Sequence, residues 1–113
     1  MIDQVRPRDL GVWLDTVRHL GEPVVLDVRE PSELRRASVQ TDGFDLIEMP
    51  MGQVTQRLPE LDPARPVACL CHHGVRSMQV AAFLSAQGFA RVANVAGGIN
   101  AWSAERDPRV PAY

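Results

Sequence analysis

Three apolar runs, each followed by a helix-like segment, constrain this chain more than any other feature. "PVVLDVRE" (residues 23–30), "PVACLC" (66–71) and "RVANV" (91–95) are β-branched and nearly continuous in their apolar character. A strand with one solvated face alternates apolar and polar residues, whereas one buried on both faces does not. Helical patterns separate these runs, and that alternation argues for a parallel sheet covered on both sides. Leu10, Trp13, Leu14, Val17 and Leu20 recur at helical spacing, with Pro7 and Asp9 suited to a first turn, Arg18 and His19 to a last, and Gly21 to a stop. "PSELRRA" (31–37) reads as a short helix with Pro31 near its start and Ser32 as a candidate cap. "SMQVAAFLSAQG" (77–88) reads as a longer one, and Gly97-Gly98 opens another, "INAWSAE" (99–105). "LIEMP" (46–50) suits a short strand and "GQVTQRL" (52–58) a short helix that Pro59 limits. Residues 38–46 carry no clear pattern beyond a turn at Gly43, and the tail 106–113 reads as irregular.

The length of 113 residues fits one domain, residues 1–113, with no need of disulfide or metal staples. A net charge of −2 gives no bulk electrostatic reason to expect a nucleic-acid or membrane partner. The first ten residues show no signal-peptide pattern, and no window approaches the ~20 apolar residues of a membrane helix. All twelve basic residues are arginine, so Schiff-base chemistry on lysine is excluded. Two cysteines, Cys69 and Cys71, do not make a disulfide framework, and the expected compartment is the reducing cytoplasm.

In a parallel sheet the chemistry sits beyond the carboxyl ends of the strands. Two charged features fall at such ends, Asp27–Glu30 and "CHHGVRS" (71–77). The second places a thiol at the end of a strand, a glycine three residues on, and a helix start near Ser77. Gly74 permits a tight curl. The loop amides of residues 72–76 can then face inward as an anion-binding nest, and the helix N-terminus adds positive potential. Both favour a thiolate at Cys71, as do Arg76 and the histidines when protonated. Cys69 lies two residues back on the same strand face and reads as packing. Cys69, Cys71, His72 and His73 offer four metal ligands on paper. Zinc sites space their ligands in separated pairs, however, and four within five residues cannot surround an ion, so no metal or other cofactor is expected.

"LDVREPSE", "CHHGVRS" and "NVAGGINAW", in this order and spacing, resemble the rhodanese-homology family of single-domain sulfurtransferases over nearly the whole chain. The resemblance implies a rhodanese-like α/β fold with a central, mostly parallel five-stranded sheet flanked by helices on both faces. It implies that Cys71 is the nucleophile and that sulfane sulfur passes from a donor anion, such as thiosulfate or a persulfide, to cyanide, a thiol or a protein acceptor. His72, His73, Gly74, Val75, Arg76 and Arg29 are then candidate substrate contacts, with Asp27, Ser77, Gly97 and Gly98 in support. Arg76 can serve as an anion contact or as an anchor to an acidic residue. Asp27 and Arg29 can shape the rim or form a structural ion pair. Only four residues separate Cys71 from Arg76, one fewer than in the related phosphatases and arsenate reductases, which favours sulfur over phosphate. Residues 36–46, "RASVQTDGFDL", stand where the family usually carries a Gly-His-Ile element, and the loop lacks the lysine of some thiosulfate-using relatives. A persulfide or protein donor is therefore expected to serve better than thiosulfate. A non-catalytic or sulfur-carrier module binding a protein partner is the alternative.

Overall fold

The computed structural model describes residues 2–113. Five parallel strands form one sheet: β1 (Ile2–Val5), β2 (Val24–Asp27), β3 (Asp45–Glu48), β4 (Val67–Leu70) and β5 (Val92–Val95). Their order across the sheet is β1-β5-β4-β2-β3, so all carboxyl ends share one edge and β4 lies at the centre. Every residue of β2, β4 and β5 is buried, which is why these strands lack alternation. The helices are α1 (Leu10–Val17), α2 (Pro31–Arg36), α3 (Val54–Arg57), α4 (Val75–Ala86) and α5 (Gly98–Glu105).

The two sheet faces carry two cores. On one, Leu10, Trp13, Leu14 and Val17 of α1 and Ile99 and Trp102 of α5 pack on Val25, Ala68 and Ala93. On the other, Val54 of α3 and Val80, Ala81 and Leu84 of α4 pack on Leu26, Cys69 and Val92. Burying a side chain such as Leu or Val contributes roughly 1.5–3 kcal/mol each, so both helix layers are held chiefly by these apolar faces. Cys69 belongs to the second core and is fully buried, in keeping with its reading as packing.

Several boundaries differ from the sequence expectation. β1 has no counterpart in the sequence pattern, because Ile2-Asp3-Gln4-Val5 is a half-exposed edge strand with no apolar run. Short 3-10 turns at Pro7–Asp9 and Arg18–Leu20 flank α1, so the α-helical stretch is shorter than 10–20. α3 is likewise trimmed to Val54–Arg57 by 3-10 turns on either side. α2 begins after Glu30, not Ser32: Glu30 occupies the capping position, and its backbone N–H donates to the Glu33 carboxylate at 3.1 Å. α4 starts two residues before Ser77, directly after Gly74. Among the described residues no helix is long and apolar enough to cross a membrane.

Candidate active site

β4 ends at Leu70 and hands Cys71 to the carboxyl edge of the sheet. The next three residues turn the chain into α4. Gly74 has φ +102°, a left-handed conformation that a side chain resists, and an added Cβ would also sit 3.2 Å from the backbone nitrogen of Gly97. This turn brings backbone N–H groups back over the thiol. Gly74 N–H donates to Cys71 Sγ at 3.1 Å, and Ser77 Oγ lies 3.2 Å from the same sulfur.

The N-terminus of α5 fixes the loop from the other side. Ile99 N–H donates to the Cys71 carbonyl at 2.8 Å, and Asn100 N–H donates to the His72 carbonyl at 3.1 Å. With their carbonyls drawn toward α5, Cys71 and His72 leave the interior of the loop to N–H groups. Gly98 makes the approach possible. Its φ is +59°, and a Cβ there would lie 2.4 Å from the His72 carbonyl oxygen and 2.5 Å from that of Cys71. Gly97, the residue before α5, is also left-handed, and a Cβ there would lie 2.6 Å from the Ala101 Cβ and 3.2 Å from Arg6 Nη1.

Burial pushes the Cys71 thiol upward. The Ser77 hydroxyl and the backbone N–H groups of Ser77, Gly74 and His73 outweigh it, and the net displacement is downward from an ordinary thiol. Cys69, two residues earlier, is pushed strongly upward by burial and by the nearby Cys71. The pair thus divides into one thiol disposed to ionise and one held neutral.

The charged residues around the loop form one connected chain. Arg76 donates twice to the Glu33 carboxylate, at 2.6 and 2.8 Å. The same carboxylate accepts the Tyr113 hydroxyl at 3.0 Å, and the Tyr113 oxygen accepts from Arg29 at 3.0 Å. Arg29 is in turn bidentate with Asp27, Nε to Oδ1 at 2.9 Å and Nη2 to Oδ2 at 2.7 Å. Both members of that pair are buried, at 0% and 1% exposure. Arg29, a candidate substrate contact in the sequence, is thus fully buried on Asp27. Of the two readings of Asp27, the geometry is that of the structural ion pair. Arg76 is bound at both terminal nitrogens to an acidic residue, Glu33. Its donations hold the Glu33 carboxyl well down, at about 2.

His72 and His73 stack on one another at 3.9 Å, and the His72 ring lies flat on Tyr113, also at 3.9 Å. His72 Nε2 is 2.7 Å from the Tyr113 backbone oxygen, which can only accept, so this nitrogen is the donor. His73 is exposed and Val75 is 69% exposed, so these two form the outer rim. Cys69 lies in the core while the His72 ring turns toward Tyr113, so the four paper ligands do not converge on one point.

The sequence reading missed three residues. Glu33 looked like one more charge on a short surface helix. Tyr113 lies in a tail with no periodicity, 41 residues from His72 and 84 from Arg29. Asn94 accepts from Ser77 at 2.6 Å. An amide inside the otherwise apolar "VANV" was the available signal, since a buried polar group must find partners.

Residues 12–105 match the model of the rhodanese-like domain. A protein of Arabidopsis thaliana named a rhodanese-like/PpiC domain-containing protein is 41% identical over 98 residues, 83% of this chain and 31% of that one. A sulfurtransferase of Allochromatium vinosum is 35% identical over 80 residues, 71% of each chain. The crystal structure of a rhodanese-related protein from Thermoplasma volcanium superposes with a TM-score of 0.77 at 30% identity, over 98% of this chain and 99% of that one. The chain thus spans less than a third of the Arabidopsis protein and most of the other two.

Proposed function

The chain belongs to the rhodanese-like domain family, and from that membership we propose that it is a sulfurtransferase whose Cys71 carries the transferred sulfur as a persulfide. The observation that carries this reading is the Cys71 sulfur itself, which faces the Gly74 N–H at 3.1 Å and the start of α4 inside a loop only four residues wide. In the first half-reaction the Cys71 thiolate attacks the sulfane sulfur of a donor. The donor's S–S bond breaks, and its electron pair leaves with the departing group, sulfite if the donor is thiosulfate. The outer sulfur of the Cys71 persulfide then takes the negative charge, where N–H groups and the α4 N-terminus favour it. In the second, a thiol, cyanide or a protein acceptor attacks that outer sulfur, and the Cys71 thiolate leaves.

The charges around the loop bear on the donor. Arg76 is engaged at both terminal nitrogens by Glu33, Arg29 is buried on Asp27, and the chain has no lysine. No cationic side chain of the loop is held free for a doubly charged donor such as thiosulfate. A low-molecular-weight or protein persulfide, which brings a single charge at its reacting end, fits the site better. Gly74 and Gly98 shape the loop, Arg76, Asp27 and Arg29 anchor it, Ser77 touches the sulfur, and His73 and Val75 meet the incoming donor. A reducing, cytoplasmic compartment suits such a thiol.

Steady-state kinetics with thiosulfate and with glutathione persulfide, each against cyanide, test this. The expected result is parallel double-reciprocal lines with the persulfide the better donor by kcat/KM. Sulfur uptake without transfer to any acceptor would replace the enzyme reading with that of a carrier.

A further inference from the structure

Ser77 stands between Cys71 and Asn94, and it owns one proton. Its Oγ is 3.2 Å from Cys71 Sγ and 2.6 Å from Asn94 Oδ1, and it is fully buried, away from solvent. The orientation of the Asn94 amide is fixed by its other end. Nδ2 lies 3.3 Å from the Gly74 carbonyl oxygen, a group that can only accept, and 3.0 Å from Gln4 Oε1. Turning the amide over would set oxygen against oxygen at Gly74. The atom facing Ser77 is therefore an acceptor, and the hydroxyl proton of Ser77 lies on Asn94. Toward Cys71, Ser77 then presents only a lone pair. That arrangement suits a thiol, whose S–H can donate to it; a thiolate has no proton to give, and the Ser77 hydroxyl helps hold the Cys71 thiol down only once it has turned.

We propose that Asn94 is a positioning residue for the reacting thiol: it holds the Ser77 proton away from Cys71, so the thiol donates to Ser77 and the thiolate gains its hydroxyl donor only when Ser77 turns. Ionisation sends the Cys71 proton to solvent. The Ser77 hydroxyl swings from Asn94 Oδ1 to Sγ, breaking one hydrogen bond and making one. A persulfide sulfur has no proton at Sγ either, so the same turn accompanies sulfur loading. Asn94 thus favours the resting thiol, and Ser77 works as a two-position hydroxyl. The other ionisable groups around Cys71 are Arg76 (paired with Glu33), the loop histidines His72 and His73, and the buried Cys69. None of these side chains is hydrogen-bonded to Ser77 or Asn94. The proposal rests on the sulfur-transfer reading only in taking Cys71 as the reacting atom.

The test is a titration, independent of turnover. Ultraviolet thiolate absorbance is followed against pH and corrected with Cys71→Ser, which removes the contribution of Tyr113. Asn94→Ala is expected to lower the Cys71 midpoint by about one pH unit, the scale of one hydrogen bond redirected to a charged sulfur. Ser77→Ala raises it. In the Ser77→Ala background, Asn94→Ala produces no further fall, because the proton it would release is gone. An unchanged or raised midpoint in Asn94→Ala overturns the proposal. So does an equal fall without Ser77, which would mean that Asn94 acts through the Gly74 carbonyl. The infrared S–H stretch of the Cys69→Ala protein at low pH needs no Asn94 or Ser77 variant. A band shifted by donation supports the S–H to Ser77 bond, and an unshifted band refutes it. Because no sulfur donor is present, this idea can fail while sulfur transfer stands, and the reverse.

Discussion

Replacing Gly98 by alanine should disable the cysteine loop, and the cost can be separated into parts. The first is backbone. Gly98 has φ +59°, where an L-residue other than glycine pays roughly 1–2 kcal/mol. The second is steric. The new Cβ would stand 2.4 Å from the His72 carbonyl oxygen, whereas real Cβ atoms essentially never come closer than 3.0 Å, so α5 and the loop must separate by at least 0.6 Å. That separation strains the bonds from Ile99 and Asn100 to the Cys71 and His72 carbonyls. Losing or weakening two such bonds adds about 1–2 kcal/mol. The sum is about 2–4 kcal/mol of stability, and misplacing a reacting group by about 1 Å can cost ~100-fold in rate. Two further variants resolve the parts. Gly88→Ala, at φ +89° with open space around its Cβ, reports the backbone term alone, and Gly52→Ala, with open space and no positive φ, reports neither. Denaturant unfolding should rank the three as Gly98, Gly88, Gly52 in falling cost. Single-turnover persulfide formation should fall steeply only in Gly98→Ala. A Gly98→Ala protein no less stable than Gly88→Ala, with undiminished sulfur uptake, would refute the reasoning.

Glu33→Gln should flatten the acid limb of stability. The wild-type carboxyl sits at about 2 folded against 4.5 ordinarily, so its contribution is present above pH 4.5 and is lost as pH falls toward 2. With both partners partly exposed, that contribution is about 1–2 kcal/mol, read from denaturant midpoints across this window. Asp27→Asn leaves the Arg29 guanidinium buried without its counter-charge and should cost about 3–5 kcal/mol by thermal or denaturant unfolding; a loss below 1 kcal/mol would contradict the buried pair. Tyr113→Phe keeps the ring on His72 but removes the hydroxyl between Arg29 and Glu33. It should cost about 1–2 kcal/mol in the same unfolding assay, with Cys71 still able to take up sulfur.

What was legible in the sequence follows from where the information lies along the chain. β2, β4 and β5 are buried on both faces, so each is written as a local apolar run. The Cys71 loop is contiguous, so its glycine, arginine and helix start could be read together. β1 pairs only with β5 at the sheet edge, and a four-residue half-exposed strand leaves no periodicity to detect. The start of α4 shifted because Gly74 completes the turn alone, leaving Val75 and Arg76 free to be helical. The partners of the site residues were hidden for a different reason. Glu33, Tyr113 and Asn94 reach the loop from three elements distant in sequence, and nothing local in a Glu on a helix or a Tyr in a tail names its partner. Arg29 illustrates the limit. Its position at a strand end placed it near the chemistry, but only the fold shows its guanidinium turned inward onto Asp27.

Of the two neighbouring cysteines, only Cys71 is expected to carry sulfur. Intact-mass analysis after treatment with a persulfide donor, followed by peptide mapping, tests it on wild type, Cys69→Ser and Cys71→Ser. One added sulfur is expected, on Cys71, in the wild type and in Cys69→Ser, and none in Cys71→Ser. Sulfur retained by Cys71→Ser, or lost equally from both variants, would contradict it.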